Sequence, residues 1–339
     1  MSAAPSAGDP RLGAAIVTYC SQEVITGCLA SLHACRDDIA RVVVTDNAST
    51  DGTCAAIRTW ASEHGVSFAE TRVGTLPQDD SWLVLQHAPV NGGFAYGTNR
   101  SLDVLLADPS IDLLWVLNPD CRAAPGTAGL YRGAGRDQNF ALMSGRTVFE
   151  ADPGVIQTDG GRISLWTGVA KLVNWGASAT TATFPDPASI DFVTGANCVA
   201  SRRFIKEVGM MEEHFFLYYE EVDWACRRGD LPLRLVPDAI VVHHGGTSIG
   251  SGSVNRRPSP LSNYFNHRNR MKFIRRHRPA ALPLAFAYGL AKAAQLVAIG
   301  TRAEAGALLA GILNLPPPAG VRARLAPEAW DAALGKRRL

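Results

Sequence analysis

Acidic side chains occur in this chain at two places where the surrounding sequence is apolar or aromatic. The segment LLWVLNPDC, residues 113–121, is typical of a buried strand, and Pro119 ends it because proline has no amide hydrogen for a sheet ladder. The carboxylate of Asp120 follows at once and loses hydration there unless a charge compensates it. One carboxylate is a normal ligand for Mg²⁺ or Mn²⁺ when substrate phosphates fill other positions, although a proline-initiated turn explains the same residues.

The second acidic place is the segment FFLYYEEVDWACRRG, residues 215–229, whose apolar spacing predicts a helix. Glu220, Glu221 and Asp223 fall within one helical turn, where like charges raise one another's pKa. A carboxylate poised in this way can take a proton from a substrate. A solvated acidic helix face accounts for the pattern equally well.

Polar residues also follow other predicted strands. Asp46 and Asn47 can bind the ribose or base of a nucleotide, or form an ordinary Asx turn. NGGFAYGTN, residues 91–99, brings glycine backbone near a ligand and opens a helix whose N-terminus favours phosphate, but a tight turn fits it equally well. VVHHGG ends a strand with His243 and His244 on opposite faces, so at most one of them faces a site.

These residues lie within a regular alternation of strands and helices. The β-branched runs at 14–19 and 41–47 are separated by a helical pattern, and the unit repeats as far as residue 120. Such alternation predicts an α/β fold with a mostly parallel sheet flanked by helices, which binds ligands at the carboxyl ends of its strands. Asp46, Asn91 and Asp120 all follow such ends.

The later sequence divides the chain into three parts. From residue 121 to 190 the pattern loosens into a mixed, partly antiparallel region. We expect a disordered leader in 1–11, the α/β domain in 12–250, and a loop followed by basic and apolar helices in 251–339. The stretch ALPLAFAYGLAKAAQLVAIG approaches spanning length but contains Lys292, which favours an amphipathic helix packed on the protein or lying on a membrane.

Charge and cysteine usage narrow the class of protein. The formal net charge of +2 is too small for whole-surface binding to nucleic acid, so we expect no nucleic-acid partner. The seven cysteines include no Cys-x-x-Cys pair and indicate reduced thiols, which favours the cytoplasm. The first residues show no basic-then-apolar signal sequence.

Taken together, the motifs resemble the family-2 inverting glycosyltransferases of the GT-A fold, and specifically their bacterial rhamnosyltransferase-like branch. The resemblance covers residues 12–250, and NYFNHRNRMKFIRRH extends it through a Tyr-x-x-x-Arg-Asn segment. It rests on IVTYCSQEVITGCLASL, VVVTDNASTDGT, NGGFAYGTNR, LLWVLNPD, DFVTGANCVASRRFIKEVGMMEEHFFLYYEEVDWACRRG and VVHHGGTS.

The resemblance implies a role for each matching residue. Asp120 corresponds to a metal ligand, with Asn118 in the place of the first acid of the usual Asp-x-Asp, and His243 corresponds to a further ligand. Glu221 occupies the catalytic-base position beside Glu220, with glutamate where aspartate is commoner. The residues implied for the nucleoside, ribose and phosphate are Thr18, Tyr19, Asp46, Asn47, Asn91, Gly93 and Asn99, with Asn118 beside them.

The resemblance also implies the partners. The donor is a nucleoside-diphosphate sugar, dTDP-rhamnose first and a UDP-sugar second, and the acceptor is a polysaccharide or lipid-linked glycan at the inner face of the plasma membrane. The C-terminal part either holds the enzyme near anionic lipid, packs on the domain, or forms a homodimer contact.

Two alternatives to a glycosyltransferase stay open. A nucleotidyltransferase needs a basic phosphate loop near the first strand, where VTYCSQEVITG has no Lys or Arg. A catalytically silent nucleotide-sugar-binding protein has no need for both Asp120 and Glu221.

Overall fold

The computed structural model describes residues 9–245 and 257–335. Outside the described residues lie 1–8 of the predicted leader, 246–250 at the end of the predicted α/β domain, and 251–256 of the predicted loop. The first strand already begins at Arg11, within the expected leader. Asp9 also contacts the body, since its carboxylate accepts a hydrogen bond of 3.0 Å from Arg136.

Residues 9–245 form an α/β body around one large sheet. The helices are α1 (Ile25–His33), α2 (Thr53–Glu63), α3 (Phe94–Ala107), α4 (Thr127–Ala134), α5 (Arg202–Val208) and α6 (Glu220–Cys226). The strands are β1 (Arg11–Thr18), β2 (Ile39–Asp46), β3 (Phe68–Arg72), β4 (Leu83–His87), β5 (Ile111–Leu117), β6 (Cys121–Ala123), β7 (Leu142–Phe149), β8 (Ile156–Thr158), β9 (Gly161–Ile163), β10 (Ala170–Leu172), β11 (Asn197–Ser201) and β12 (Arg234–His243).

The sheet is parallel on one side and mixed on the other. Its strands lie in the order β3-β4-β2-β1-β5-β11-β7-β12-β6, with β8 added to β7. Thr18 of β1 pairs with Asp46 of β2, so these strands end at the same level. Because β1 lies between β2 and β5, their carboxyl ends border a crevice of the kind that binds ligands in open α/β sheets. The predicted parallel sheet flanked by helices is confirmed, and so is the antiparallel region, which includes the β9–β10 hairpin.

Helices bury both faces of this sheet. Leu113, Trp115 and Leu117 of β5 pack into the core on one face, while the intervening Leu114 and Val116 pack into the core on the other. A strand that is buried on both faces needs apolar residues throughout, which explains the continuous run in this part of the sequence.

The predicted helix over 215–229 is wrong in its first part. α6 begins only at Glu220, and three residues before it have backbone φ values in the left-handed region: Phe216 at 68°, Tyr218 at 70° and Tyr219 at 75°. The aromatic spacing there reflects packing, because Phe216 and Tyr219 are buried in two different clusters. Nearby, the strand β11 begins two residues after Gly195.

The C-terminal helices pack directly on the α/β body. Phe273 belongs to the body's core, and Phe265 stacks on Phe216 with ring centroids 5.1 Å apart. Pro279–Ala298 has the length and hydropathy of a membrane-spanning helix, with 22% of its most apolar window buried. The helices are α7 (Pro260–His277), α8 (Leu282–Ala298), α9 (Arg302–Ile312), α10 (Ala319–Arg322) and α11 (Pro327–Ala333).

Candidate active site

The ends of β1 and β2 form a hydrogen-bonded unit. The hydroxyl of Thr18 donates to Oδ1 of Asp46 at 3.1 Å, and the backbone N–H of Ser49 donates to Oδ2 at 3.0 Å. Asp46 therefore stabilises the turn after β2 through its side chain, although the N–H it accepts from is three residues on and not two as in an Asx turn. Asn47 donates from Nδ2 to the carbonyl of Gly93 at 2.9 Å, while its buried Oδ1 has no hydrogen-bond partner among the described residues.

The Gly93 loop joins this unit to the acidic segment. Gly93 has φ of 91°, its N–H donates to Oδ1 of Asn91 at 3.0 Å, and the next N–H, of Phe94, donates to the carbonyl of Phe216 at 2.7 Å. A Cβ at Gly93 would lie 2.3 Å from that carbonyl oxygen. Only glycine allows this close approach, which brings the loop against the segment that carries the glutamates.

Asn99 has a structural set of contacts. Its Nδ2 donates to the carbonyl of Met211 and to Oε1 of Glu213, both at 2.9 Å, and its Oδ1 accepts from the N–H of Met211 at 3.2 Å. These bonds fix the chain that leads into the acidic segment. The structure does not bring Asn99 together with the other predicted nucleotide-binding residues.

A cavity of about 150 Å³, the small cavity, opens at the carboxyl ends of β1 and β5. Leu261, Arg324 and Leu325 from the C-terminal region form part of its wall, which the sequence did not indicate. Thr18 and Asp46 are buried and do not line it. The predicted site residues that line it are Tyr19, Asn47, Asn91, Gly93, Asn118 and Asp120.

Asp120 and His243 face one another beside the small cavity. Nε2 of His243 lies 3.1 Å from Oδ1 of Asp120 and 3.5 Å from Nδ2 of Asn118. The other ring nitrogen, Nδ1, lies 2.5 Å from Oε1 of Gln157, and an amide oxygen can only accept, so Nδ1 carries the hydrogen in this pair. In the neutral ring the lone pair of Nε2 is thus directed at a carboxylate oxygen.

This arrangement fits a divalent cation. Two acceptor atoms that face each other repel unless a proton or a cation lies between them, and the fixed Nδ1–H is the usual support for a metal-binding histidine. Cys121 lies nearby, but its buried Sγ donates to the carbonyl of Ala196 and burial raises the pKa of the thiol, so it stays protonated. His244 points away and pairs with Glu150, as the predicted opposite faces require.

Glu220 and Glu221 line a second cavity of about 680 Å³, the large cavity. Glu220 is 3% exposed and its Oε2 has no hydrogen-bond partner among the described residues. Burial, followed by the charge of Glu221, raises the pKa of Glu220 well above its usual value. Burial also raises the pKa of the less enclosed Glu221. Burial therefore favours the neutral form of Glu220 more strongly than that of Glu221, which makes Glu221 the better candidate for a base.

Asp223 has a different role from its two neighbours. Burial alone would raise the pKa of its carboxylate, but the hydrogen bond from His277 and the charges of Arg227 and Arg276 hold it below the usual value. His277 lies 2.8 Å and Arg227 lies 2.9 Å from its oxygens. Asp223 therefore ties α6 to α7 and is not available as a base.

The two cavities adjoin. Asn118, Phe94 and Leu217 line both of them. The large cavity also reaches His243 at this end, and it continues past the glutamates to the surfaces of α7 and α8. A ligand in the small cavity and a ligand in the large cavity would therefore meet beside Asn118.

Two supporting residues could not be identified from the sequence. Gln157 lies in the region where the strand and helix pattern is weak, so no signal connected it with His243. Asn269 belongs to the Arg-Asn pair of α7, but no sequence pattern indicates that its Nδ2 donates to the carbonyls of Phe215, Leu217 and Tyr218.

The sheet order and the two adjoining cavities define a GT-A fold, and solved structures agree. The mannosyltransferase PcManGT from Pyrobaculum calidifontis, solved with GDP-Man and Mn²⁺, superposes with a TM-score of 0.52 at 17% identity, over 90% of this chain and 87% of that one. GalNAc-T7, solved with UDP, GalNAc and Mn²⁺, gives a TM-score of 0.55 at 12% identity, over 96% of this chain and 58% of that one.

Sequence comparison points to a particular kind of GT-A protein. The N-acetylglucosaminyl-diphospho-decaprenol L-rhamnosyltransferase of Mycobacterium tuberculosis is 26% identical over 255 residues, which are 69% of this chain and 76% of that protein. No protein-family profile matches the chain. The resemblance predicted from the motifs is confirmed: the chain is similar in sequence to this rhamnosyltransferase and has the GT-A fold of the solved glycosyltransferases.

Proposed function

We propose that this protein is an inverting, metal-dependent glycosyltransferase that moves a sugar from a nucleoside-diphosphate sugar to a hydroxyl group of a glycan acceptor. The observation that carries the proposal is the junction of the two cavities at Asn118. The small cavity is lined by the nucleotide-type residues and Asp120, and the large cavity is lined by His243, which faces Asp120, and by Glu221. A donor and an acceptor need this arrangement in order to react directly.

The residues divide the chemistry between them. Tyr19, Asn47 and Asn91 would contact the nucleotide, and Asp120 with His243 would hold Mg²⁺ or Mn²⁺. When bound, this cation supplies positive charge that stabilises the departing nucleoside diphosphate. Glu221 takes the proton from the acceptor hydroxyl.

The reaction is a single displacement. The acceptor oxygen forms a bond to the anomeric carbon on the face opposite the leaving group. At the same time the bond from that carbon to the diphosphate oxygen breaks, and the diphosphate leaves with the electron pair. One displacement inverts the anomeric centre and needs no covalent intermediate with the protein.

Similar proteins support the choice of substrates. The similar Mycobacterium tuberculosis protein is an L-rhamnosyltransferase that acts on N-acetylglucosaminyl-diphospho-decaprenol. We therefore propose dTDP-rhamnose as the first donor and a UDP-sugar as the second, with a polysaccharide or lipid-linked glycan as the acceptor.

We further propose that the protein works in the cytoplasm as a peripheral protein at the inner face of the plasma membrane. The outer surface of α8 carries exposed apolar side chains, including Leu284 and Leu290. Arg275 and Arg276 lie just before this helix and suit anionic lipid. The alternative is a homodimer in which this surface is the contact between two copies. Vesicle co-sedimentation and the mass in solution distinguish the two.

A panel of nucleotide sugars incubated with the purified protein, an acceptor and Mn²⁺ or Mg²⁺ tests the function. We expect release of nucleoside diphosphate, greatest with dTDP-rhamnose, and its loss on chelation of the metal. Binding without turnover of any donor would indicate a silent binding protein. Formation of a nucleotide sugar from a nucleoside triphosphate and a sugar phosphate would indicate a nucleotidyltransferase.

A further inference from the structure

Three different metal-binding side chains meet at the ends of β2 and β4. Asp46 and His87 are the last residues of these parallel strands and are paired in their register. Cys54 lies in the first turn of α2, which follows β2. One ligand atom from each of the three residues lies within 4.8 Å of the other two. None of the three is among the described residues that line the two cavities, so the donor and the acceptor do not account for this cluster.

The spacing of the sulfur and the ring nitrogen fits a single ion. Sγ of Cys54 lies 4.0 Å from Nδ1 of His87. A zinc ion bonds sulfur at about 2.3 Å and nitrogen at about 2.0 Å, so two such ligands of one ion lie at most about 4.3 Å apart. Cys54 and His87 are partly exposed and Asp46 is 3% exposed. An ion can therefore reach the thiol and the ring from solvent, with the carboxylate beneath them.

The ring of His87 is held in the orientation that a metal-binding histidine needs. Its Nε2 contacts Oε1 of Glu70, and Glu70 is fixed in turn by Arg58, whose Nε donates to Oε2 at 2.9 Å. A carboxylate in an ion pair with arginine can only accept, so Nε2 carries the hydrogen in this contact. The lone pair of the neutral ring is then on Nδ1, which faces Cys54. A carboxylate on the other ring nitrogen is a usual partner of a zinc-binding histidine.

The thiol of Cys54 faces the two other ligands. Burial, followed by the charge of Asp46, raises the pKa of this thiol to about 12, so it keeps its proton until a cation binds. A bound zinc ion replaces that proton. The S–H bond breaks, the sulfur shares the freed electron pair with the ion, and the proton passes to solvent. Cys121, beside Asp120, differs because it is fully buried and donates to a backbone carbonyl.

We propose that Asp46, Cys54 and His87 form a zinc site that is separate from the pair of Asp120 and His243. A sulfur ligand beside nitrogen and oxygen favours Zn²⁺ over the harder cations Mg²⁺ and Mn²⁺. Three protein ligands leave the fourth position of a tetrahedral ion open to water. The ion joins β2, β4 and α2 at one point, so its binding stabilises the folded chain. The site does not depend on the proposed transfer reaction.

Cobalt can replace zinc as a spectroscopic probe of the site. With the thiols kept reduced, Co²⁺ should give the wild type the near-ultraviolet absorption of a thiolate bound to cobalt, and excess Zn²⁺ should remove it. Cys54→Ser should abolish this absorption. His87→Gln removes a ligand and Glu70→Ala releases the ring of His87, so each should lower the zinc affinity about 10–100-fold or more in competition with a chelating dye.

Cys226→Ser is the matched control, because this half-buried cysteine of α6 lies outside the cluster, and it should leave the absorption unchanged. Asp120→Ala should also retain it. Absorption that persists in Cys54→Ser or disappears in Asp120→Ala would place the thiolate elsewhere and overturn the proposal. No thiolate absorption in the wild type would overturn it as well. The wild type and Glu70→Ala give an answer even if Cys54→Ser fails to fold.

Thermal melts give a second test that excludes the other metal pair. Zn²⁺ should raise the Tm of Asp120→Ala, and this rise should disappear when Cys54→Ser is added. In the otherwise wild-type chain, Cys54→Ser should leave Mn²⁺-dependent binding of nucleoside diphosphate unchanged. No rise in Asp120→Ala, or a loss of Mn²⁺-dependent nucleotide binding in Cys54→Ser, would contradict a separate zinc site.

Discussion

Glu220 and Glu221 are adjacent in the chain, but α6 places their carboxylates in different surroundings. Successive residues on a helix point about 100° apart, so one side chain can be enclosed while the other faces a cavity. Glu220 is the enclosed one, and burial followed by the charge of Glu221 raises its pKa well above the usual value, which favours its neutral form. A neutral glutamic acid and a glutamine have nearly the same shape and charge.

Substitution of each glutamate by glutamine therefore separates their roles. Glu221→Gln keeps the shape of the side chain but removes its basicity, so kcat should fall by roughly 10²–10⁴-fold while donor binding persists. Glu220→Gln should reduce kcat much less. Steady-state kinetics with both substrates saturating measures this. If Glu220→Gln is the inactive variant, the base is Glu220 and not Glu221. Near-normal turnover in both variants would exclude a carboxylate base.

The raised pKa of Glu220 also predicts a pH-dependent stability difference. The folded protein binds this proton more tightly than the unfolded chain, so stability falls as the pH rises from the usual glutamate range to the folded-state pKa. Glutamine cannot ionise, so Glu220→Gln loses no stability from this cause over the same pH range. Thermal melts should show equal Tm values for wild type and Glu220→Gln at acidic pH, and a higher Tm for the variant at alkaline pH. A constant difference at every pH would contradict the assignment.

The Asp120–His243 pair makes a prediction about metal binding. Asp120→Ala removes the carboxylate that compensates a cation, so Mn²⁺-dependent binding of nucleoside diphosphate should be lost, and His243→Ala should weaken it less. Calorimetric titration with and without Mn²⁺ measures the effect. His244→Ala is the control, because His244 pairs with Glu150 outside the site. An unchanged metal dependence in Asp120→Ala would remove this residue from the site.

At the scale of elements, α7 holds the segment before α6 in an unfavourable conformation. A left-handed residue other than glycine costs about 1–3 kcal/mol, and Phe216, Tyr218 and Tyr219 all adopt such φ values. The amide of Asn269 opposes this cost through its bonds to three carbonyls of the same segment. Asn269 is therefore a positioning residue for the glutamates.

Asn269→Ala should lower kcat by an order of magnitude or more, because a small displacement of a catalytic group can cost about 10²-fold, while the affinity for donor changes little. Asn314→Ala is the control. The side-chain oxygen of Asn314 accepts a hydrogen bond of 3.0 Å from Arg268, which precedes Asn269 on α7. No hydrogen bond joins Asn314 to the acidic segment among the described residues. Asn314→Ala should lower the stability of the protein without a specific loss of kcat. Similar kcat values for the two variants would deny Asn269 a positioning role.

The same elements show which features can be predicted from sequence. The alternation of β1, α1, β2 and α2 follows from the local spacing of apolar residues. Both the sheet and the location of Asp46 and Asp120 at its strand ends could therefore be predicted. The half-exposed edge strand β3 and the non-helical chain at 215–219 did not, because sheet pairing and contacts with distant residues decide them. The supporting partners Gln157 and Asn269 were missed for the same reason.

At the scale of the molecule, the exposed apolar surface of α8 should govern membrane binding. Leu290→Asp places a charge on this surface and should reduce co-sedimentation with anionic vesicles, because apolar burial and charge attraction act together there. Leu76→Asp changes a leucine of the α/β body that is at least as exposed, and it is the control. If Leu290→Asp instead lowers the mass in solution from a dimer to a monomer, the surface is a contact between two copies.

The dependence of the glutamates on Asn269 has a consequence for the order in which the chain is synthesised. The sheet and both glutamates emerge from the ribosome before α7 does, so a nascent chain can complete the crevice at the ends of β1 and β2 while the segment at 215–219 still lacks its support. Such a chain lacks both the contact from Asn269 to the segment before Glu221 and the part of the small-cavity wall that Leu261, Arg324 and Leu325 provide. Both cavities are therefore completed only when the C-terminal helices dock, so we expect a chain released before α7 to fold its sheet without acquiring transfer activity.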